Sequence, residues 1–304
     1  MFAPPPRRAA TVFAQLPNEL RTATAENEWN AGQPAGLAAT AVLEGLSFDR
    51  DGLLWCVDIV NGRVYTVDAQ GRFKVELQYD GWPNGLKIHR DGRIFVADYK
   101  HGILVFDREK RRMTPVLERY HLERLKAVND LFFAANGDLY FTDQGMTGLQ
   151  DPTGRLFCLR KSGELVCLLN NIPSPNGLVM DLEERSVFVA VTRENSVWRM
   201  PLGRDGMPIK VARFLQLSGG VGPDCLALDK AGGLVVAHPG LGCLWRFDST
   251  GEPTQRIDTP AGKLTLSIAF GGAGAQDVFF TESSTATILR APMPVAGKAM
   301  YSHA

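Results

Sequence analysis

Short apolar segments, each introduced by a polar residue and followed by a reversal, recur along most of the chain. Five clear copies and a weaker sixth begin at Glu44, Asn84, Asn129, Asn176, Asp224 and Ser267, which we call the lead residues. The copies are separated by 40 to 48 residues, a period typical of propellers and solenoids. Since a long amphipathic helix is missing from the pattern, the repeats are predicted to consist of strands.

Each repeat contains the same series of predicted elements. Asp51-Gly52 and Asn136-Gly137 mark tight hairpin turns after the first apolar segment. A continuous apolar run such as residues 53–57 then predicts a strand buried on both faces. An alternating third strand follows, as in residues 62–68, and a fourth is visible in residues 74–77. Six repeats of four antiparallel strands predict an all-β fold, a six-bladed β-propeller with four-stranded blades.

The two ends of the chain are predicted to complete this ring. The last repeat shows only three strands before Ala291, so residues 11–14 are expected to supply its outer strand and close the propeller. Residues 1–304 would then form a single domain, in which residues 1–40 are an N-terminal extension. Residues 26–34 are expected to be a surface linker, and the tail after Met293 is expected to pack loosely.

Composition narrows the range of partners. The 33 Lys and Arg balance 33 Asp and Glu, and the lack of a basic stripe argues against nucleic acid. Apolar runs fall far short of the ~20 residues needed to cross a bilayer, so no membrane partner is expected. The N-terminus lacks the apolar core of a signal peptide, and five scattered cysteines suit a reducing compartment. We therefore predict a cytoplasmic protein, with the oligomeric state left open.

The lead residues carry the candidate chemistry. Because the first strand of each blade is innermost, all six should form a ring at one mouth of the central channel. All six can offer oxygen, which is the ligand preferred by Ca²⁺ and Mg²⁺. Glu44 and Asp224 would match the double charge of one cation, and Asn129 and Asn176 would complete the protein ligands. The alternative is that these residues only cap strand ends in turns.

Other residues are expected at the same mouth. His238, fourteen residues after Asp224, ends a second strand and is assigned either acid–base work or a hydrogen bond between blades. Cys225 is interpreted as a packing residue, although a nucleophile is the alternative. The expected substrate-binding residues are Asn129 in the ring and, on loops of this face, Trp82, Tyr99, Met146 and Arg193, with Leu149 nearby.

These motifs resemble the SMP-30/gluconolactonase group of six-bladed, calcium-dependent hydrolases. The resemblance extends over most of the chain from about residue 40 and is carried by residues 43–49, 128–131, 139–143, 175–178 and 222–224. It implies metal binding by Glu44, Asn176 and Asp224, contact of Asn129 with metal or substrate, and a role for Asp224 as base or nucleophile.

One position departs from this pattern. Sugar lactonases of the group have Arg two residues before the Asn that corresponds to Asn129, whereas this chain has Ala127. We therefore expect a lactonase that uses one divalent cation, Ca²⁺ first and Mg²⁺, Mn²⁺ or Zn²⁺ as alternatives, on a small and sparsely hydroxylated lactone. Another esterase or phosphotriesterase activity, or a non-catalytic binding propeller with a structural cation, are the competing hypotheses.

Overall fold

The computed structural model describes residues 3–33 and 38–303, so Pro34, at the end of the expected linker, lies outside the described residues. Six antiparallel sheets follow one another around a central channel, which confirms the six-bladed β-propeller. Each sheet is one blade, and the first strand of each repeat is the innermost. The continuous apolar runs form the second strands, and burial on both faces explains why they do not alternate.

The strands of the first three blades are as follows. Blade 1 contains Leu43–Phe48, Leu54–Asp58, Arg63–Val67 and Phe73–Gln78. Blade 2 contains Pro83–Ile88, Ile94–Asp98, Gly102–Asp107 and Arg112–Leu117. Blade 3 contains Val128–Phe133, Leu139–Asp143, Gly154–Leu159 and Leu165–Ile172. A small hairpin, Arg119–Tyr120 with Glu123–Arg124, connects blades 2 and 3.

The other three blades complete the ring. Blade 4 contains Pro175–Met180, Ser186–Val191, Ser196–Pro201 and Ala212–Gln216. Blade 5 contains Leu226–Leu228, Leu234–His238, Cys243–Phe247 and Pro253–Asp258. Blade 6 contains Thr265–Gly271, Asp277–Glu282 and Thr287–Pro292, followed outward by Thr11–Gln15. The short helices are Asn18–Leu20, Glu28–Ala31, Thr192–Glu194, Ala273–Ala275 and Tyr301–His303.

The N-terminal closure strand is confirmed. Thr11–Gln15 pairs antiparallel with Thr287–Pro292 and becomes the outer strand of blade 6. A second contact was not predicted: Arg7–Ala9 adds a parallel strand to the outer edge of blade 5. The N-terminal segment therefore forms strands with both of the last two blades. These pairings connect the N-terminal part of the described chain to the blades built from its C-terminal part.

The expected surface linker is partly wrong. Glu28–Ala31 is a short α-helix that lies on the face of the lead residues, which we call the entry face. Asn30 is buried and donates to the carbonyls of Thr24 and Ala39 at 2.7 and 2.8 Å. Asn27 caps the helix through Trp29 N and also donates to Val60 O. Side-chain hydrogen bonds to the backbone, which have no periodic signature, hold this segment in place.

The C-terminal tail is also better packed than the sequence suggested. Gly297 and Lys298 donate backbone hydrogen bonds to Ala275 O and Leu228 O at 2.9 and 2.8 Å. Tyr301 is 6% exposed and stacks on Phe133 of blade 3. The tail thus crosses the face opposite the entry face, which we call the tail face. In the part of the chain that the structure describes, no helix has the length and apolar composition needed for a membrane crossing.

The closure strand offers a matched pair of substitutions. Ala14 is 4% exposed and Val12 is 53% exposed on the same strand. Ala14→Asp should lower the free energy of unfolding by about 2 kcal/mol or more, because it buries a carboxylate without a partner. Val12→Asp should cost about 1 kcal/mol or less, since its side chain stays in water. Chemical denaturation of both variants measures the difference, and equal losses would contradict closure by this strand.

Candidate functional site

The first four lead residues lie within innermost strands, and Asp224 lies two residues before the innermost strand of blade 5. In blades 1 to 4 the residue before the lead residue pairs with the end of the second strand, as Leu43 does with Asp58 and Val128 with Asp143. In blade 5, Asp224 N donates to Ala237 O at 3.0 Å. The alternative of turn capping is therefore not supported, and these side chains share the entry face.

The sixth assignment is wrong by one residue. In blade 6, Thr265 pairs with Glu282, so the lead position falls on Leu266. Leu266 is apolar and packs in a cluster with Val42 and Ile59. Ser267 takes the position that Gly45 occupies in blade 1, and its hydroxyl accepts a hydrogen bond from Leu46 N at 2.8 Å. Five lead residues therefore offer oxygen, and blade 6 contributes an apolar wall.

Two of the predicted metal-binding side chains are in direct contact. Asn176 Nδ2 donates to Asp224 Oδ2 at 3.2 Å, which leaves the amide oxygen of Asn176 for another partner. Glu44 is 7% exposed, whereas Asp224 is partly exposed. Burial, followed by the negative charge of Asp224, raises the pKa of Glu44 well above its usual range. Burial, followed by the charge of Asp130, raises the pKa of Asp224 to about 7.

Asn129 is oriented by a hydrogen-bond network. Its Nδ2 donates to the Tyr99 hydroxyl at 2.7 Å and to Gln144 Oε1 at 3.2 Å. The Tyr99 hydroxyl in turn donates to Gln144 Oε1 at 2.6 Å, and Gln144 Nε2 donates to Ser174 Oγ. Both amide hydrogens of Asn129 are thus used within the protein, and its Oδ1 remains for a ligand. Gln144 was not identified in the sequence because no repeat position predicts it.

A buried ion pair lies close to the ring. Lys87 Nζ lies 3.2 Å from Asp130 Oδ1, and both side chains are nearly inaccessible to water. The charge of Asp130 helps to hold the pKa of Lys87 above its usual value despite burial, which alone would lower it. Lys87 therefore offsets Asp130, whereas Glu44 and Asp224 form no ion pair within residues 3–33 and 38–303. Two uncompensated carboxylates match the charge of one divalent cation.

The donor set fits a hard cation. Among the residues that the structure describes, no three His, Cys, Asp or Glu side chains cluster as metal ligands. The predicted set is of a different kind, since it combines two carboxylates, Glu44 and Asp224, with two amides, Asn129 and Asn176. Carboxylate and amide oxygens in this mixture suit Ca²⁺ or Mg²⁺ better than the softer transition metals. The metal ligands themselves stay a prediction.

The predicted substrate residues differ in their surroundings. Trp82 and Tyr99 both contact Trp29 of the N-terminal helix, with ring centroids 5.5 and 5.2 Å apart. Lys100 covers Trp82 and pairs with Glu28 at 2.8 Å, which fixes the helix to blade 2. Trp29 was not predicted, because it lies outside the repeats.

The remaining predicted wall residues are exposed. Met146 and Leu149 are 84% and 68% exposed on the blade 3 insertion, so the structure does not bring them into the aromatic group. Arg193 is exposed, and its charge lowers the pKa of Asp224 against the effect of burial. Lys126 Nζ donates to Thr153 O and Oγ1 at 2.7 and 2.6 Å, so it does not replace the Arg that Ala127 lacks.

His238 has its hydrogen-bonding capacity satisfied. Trp245 Nε1 donates to its Nδ1 at 3.2 Å, and its Nε2 lies 3.0 Å from Gly219 O. Burial lowers its pKa, so the ring is the neutral tautomer with the proton on Nε2. Both ring nitrogens are therefore used in hydrogen bonds within the protein, one to a side chain and one to the backbone. Of the two roles expected for His238, the hydrogen bonds support the structural one and not the catalytic one.

Comparison with known proteins agrees with this architecture. Residues 42–284 match the model of the SMP-30/Gluconolactonase/LRE-like region. The chain belongs to this family. Lactonase drp35 of Staphylococcus aureus is 29% identical over 255 residues, which cover 80% of this chain and 76% of that protein. The resemblance inferred from the motifs is thereby confirmed.

Solved structures of the family share the fold. A gluconolactonase from Xanthomonas campestris superposes with a TM-score of 0.74 at 23% identity, covering 84% of this chain and 86% of that chain. Regucalcin from Agrobacterium tumefaciens, a calcium-binding protein, gives the same TM-score and identity with 86% and 94% coverage. The closure strand and the Trp29 helix lie before the matched region, and the tail lies after it.

The repulsion between the two carboxylates predicts a pH effect. In chelator-treated protein, Glu44 and Asp224 keep protons at pH values where the unfolded chain, with ordinary pKa values near ~4, has lost them. The contribution of Asp224 to stability is therefore lost as the pH rises through about 7, and that of Glu44 is lost as the pH rises through its own raised pKa. We expect Glu44→Gln to raise the melting temperature of the chelated protein at about pH 8 and to weaken stabilisation by added Ca²⁺.

Thermal unfolding with and without Ca²⁺, at about pH 5 and about pH 8, measures both effects. Glu118→Gln makes the same substitution at an exposed position, and its melting temperatures should match those of the wild type under each condition. A Glu44→Gln variant that is stabilised by Ca²⁺ as strongly as the wild type would remove Glu44 from the site.

Proposed function

We propose that this protein is a divalent-cation-dependent lactonase that hydrolyses the ring ester of a small, sparsely hydroxylated lactone. The observation that carries the proposal is the pair of carboxylates Glu44, which is buried, and Asp224, which is partly buried; neither forms an ion pair in the described chain. Keeping both ionised is costly unless a cation binds between them. Membership of a family whose curated relatives include lactonases supports the same reaction.

Four residues would hold the cation. Glu44 and Asp224 would supply charge, and the amide oxygens of Asn129 and Asn176 would complete the protein ligands. A bound cation supplies Lewis-acid polarisation of the ester carbonyl and compensates the developing oxyanion. The hydrogen bonds from Asn129 to Tyr99 and Gln144 keep the amide oxygen turned away from those acceptors. Tyr99 is therefore a positioning residue in this proposal as well as part of the aromatic wall.

Asp224 would act on the substrate directly. It is partly exposed and oriented by Asn176, so its other oxygen can reach a water molecule or the substrate. As a base, it takes the proton of the water that attacks the carbonyl carbon. The ring C–O bond then breaks, and the departing oxygen takes a proton to give the hydroxy acid. As a nucleophile, the same carboxylate would attack the carbonyl carbon itself. The ring C–O bond would break to leave an anhydride with Asp224, and water would hydrolyse that anhydride to release the hydroxy acid and restore the carboxylate.

The substrate wall favours an apolar lactone. Trp29, Trp82 and Tyr99 form one aromatic group next to Asn129. Lys126 is bound to Thr153, so Arg193 is the cation that remains near Asp224 in the described chain. Each sugar hydroxyl buried against this wall without a partner would cost about 1–3 kcal/mol. An aliphatic or aromatic lactone avoids that penalty.

Asp224→Asn separates chemistry from cation binding. The substitution keeps a ligand oxygen and the contact with Asn176, but it removes the base, so kcat should fall at least about a hundredfold. Cation occupancy, measured by metal analysis after dialysis, should fall less than kcat does. Glu44→Gln is the matched control, since its activity should be restored by raising the cation concentration. If Asp224→Asn activity also returns with more cation, Asp224 is only a ligand.

The substrate preference can be measured together with the role of Trp29. We expect kcat/KM to be higher for an aliphatic or aromatic lactone than for an aldonolactone at fixed cation and pH. Trp29→Ala should raise KM for the apolar lactone several-fold with little change in kcat, because it removes a wall and no reacting group. Trp29→Phe should restore most of the loss. A clear preference for the aldonolactone would contradict the interpretation of Ala127.

The same assays distinguish the competing hypotheses. Hydrolysis of linear esters or phosphotriesters with equal or higher kcat/KM would favour a broader esterase or phosphotriesterase. Cation binding without turnover of any lactone would favour a non-catalytic propeller, in which the cation is structural.

A further inference from the structure

The channel contains a cavity that is separate from the lead residues. It has a volume of about 590 Å³ and is lined by the hairpin turn of blade 1 at Asp49–Gly52, by Lys230 of blade 5 and by Gly271 of blade 6. These turns follow the innermost strands, whereas the lead residues precede or begin them. The cavity therefore opens toward the tail face. Its volume lies in the range of about 300–1,000 Å³ that is usual for small-molecule sites.

The inner wall of this cavity is mostly apolar. One residue from the middle of each innermost strand contributes to it: Ser47, Lys87, Phe132, Val179, Ala227 and Ala269. Leu46, Leu178, Leu226 and Ile268 line it as well. Ser47 and Lys87 are the polar members of this wall, and Lys87 is paired with Asp130 at 3.2 Å. An apolar chain could therefore pack along the wall with the charge of Lys87 already balanced.

The C-terminal tail forms the outer side of the cavity. Gly297, Lys298, Ala299, Met300 and His303 all line it. The tail is fixed to blades 5 and 6 through Lys298 and Gly297, and to blade 1 by a 2.6 Å hydrogen bond from Arg50 Nε to Ser302 O. The cavity therefore stays open beneath a tail that is held in place by hydrogen bonds. If the tail served only to pack against the blades, larger side chains would be expected to fill this space.

The charge of the lining is positive. Five Lys or Arg and two Asp line the cavity, and three of the five cations pair with carboxylates: Lys87 with Asp130, Arg290 with Asp277 and Lys298 with Glu184. Asp49 already accepts hydrogen bonds from Leu53 N and Trp55 Nε1, and Asp68 pairs with Arg72. Lys230 is exposed and forms no ion pair within the described residues. A concave apolar surface with excess positive charge concentrates anions.

We propose that this cavity is a second binding site, which takes an amphipathic carboxylate with its apolar chain in the channel and its anionic group near Lys230 and Arg50. The site does not depend on the lactonase proposal, because it shares no residue with the predicted metal centre. Binding here requires only the channel wall, the tail and the basic side chains described above.

Calorimetric titration with dodecanoate, in the presence of a chelator, tests the proposal. We expect saturable binding of one equivalent to the wild type, and weaker binding of the uncharged dodecanol. Ala269→Phe should weaken dodecanoate binding at least about tenfold, because the ring would fill part of the cavity. Lys230→Glu should weaken dodecanoate binding by about tenfold and dodecanol binding much less.

Two controls make the result specific. Lys263→Glu produces the same change of charge on an exposed residue that immediately precedes blade 6 on the entry face, and should leave binding unchanged. Glu44→Gln should also leave binding unchanged, since it alters only the predicted metal centre. Absence of saturable binding, loss of binding in Glu44→Gln, or full binding in both Ala269→Phe and Lys230→Glu would overturn the proposal. If Ala269→Phe does not fold, the contrast between Lys230→Glu and Lys263→Glu decides.

Discussion

The innermost strands approach one another so closely near the axis that the position after the lead residue has almost no room in blades 1, 2 and 4, where it is Gly45, Gly85 and Gly177. A Cβ on Gly45 would lie 2.6 Å from Asn84 O, and one on Gly177 would lie 2.6 Å from the Cα of Cys225. Gly45 also has a φ of +62°, which favours glycine. This close approach brings the lead side chains of neighbouring blades to one mouth. The recurring Asn-Gly pairs are thus a packing requirement that also positions the polar ring.

Most of the fold could be predicted because it repeats. The turns, the buried second strands and the missing outer strand of blade 6 all left a periodic signal, and the closure strand at Thr11–Gln15 followed from counting strands. Ser267 was misassigned because blade 6 has neither Asn nor Asp at its lead position, so only the pairing of Thr265 with Glu282 reveals the register. Ser267, a polar residue one position after Leu266, satisfied the pattern equally well.

The candidate site could be predicted only in part. Glu44, Asn129, Asn176 and Asp224 hold repeat positions, so their common location followed from the period. Trp29 and Gln144 are held by contacts between segments distant in sequence, such as Trp29 with Tyr99 at 5.2 Å. The packing of the tail was not predicted for the same reason, since Tyr301 stacks on Phe133 of blade 3, which is distant in sequence. Such contacts are decided by packing in three dimensions, and no local pattern records them.

The pair formed by Lys87 and Asp130 divides the channel into two chemical environments. Toward the entry face lie Glu44 and Asp224, and toward the tail face lies the apolar cavity with its basic rim. Removing one partner of a buried ion pair typically costs about 3–5 kcal/mol, so this division is maintained firmly. Lys87 forms its ion pair with Asp130, and its charge lowers the pKa of Glu44 only against the larger effects of burial and of Asp224. Glu44 and Asp224 are therefore left with the charge that a divalent cation would balance.

The two remaining carboxylates differ in their access to solvent, and this difference supports the separate roles proposed for them. Glu44 is 7% exposed, and one of its oxygens lies 3.2 Å from Gly45 N, its own neighbour in the chain. Asp224 is partly exposed, and Asn176 contacts only its Oδ2, so its other oxygen is available at the mouth. A residue that exchanges a proton with water must reach water, whereas one that only balances charge need not. Asp224 is therefore the carboxylate suited to the chemical step, and Glu44 is suited to holding a cation in place.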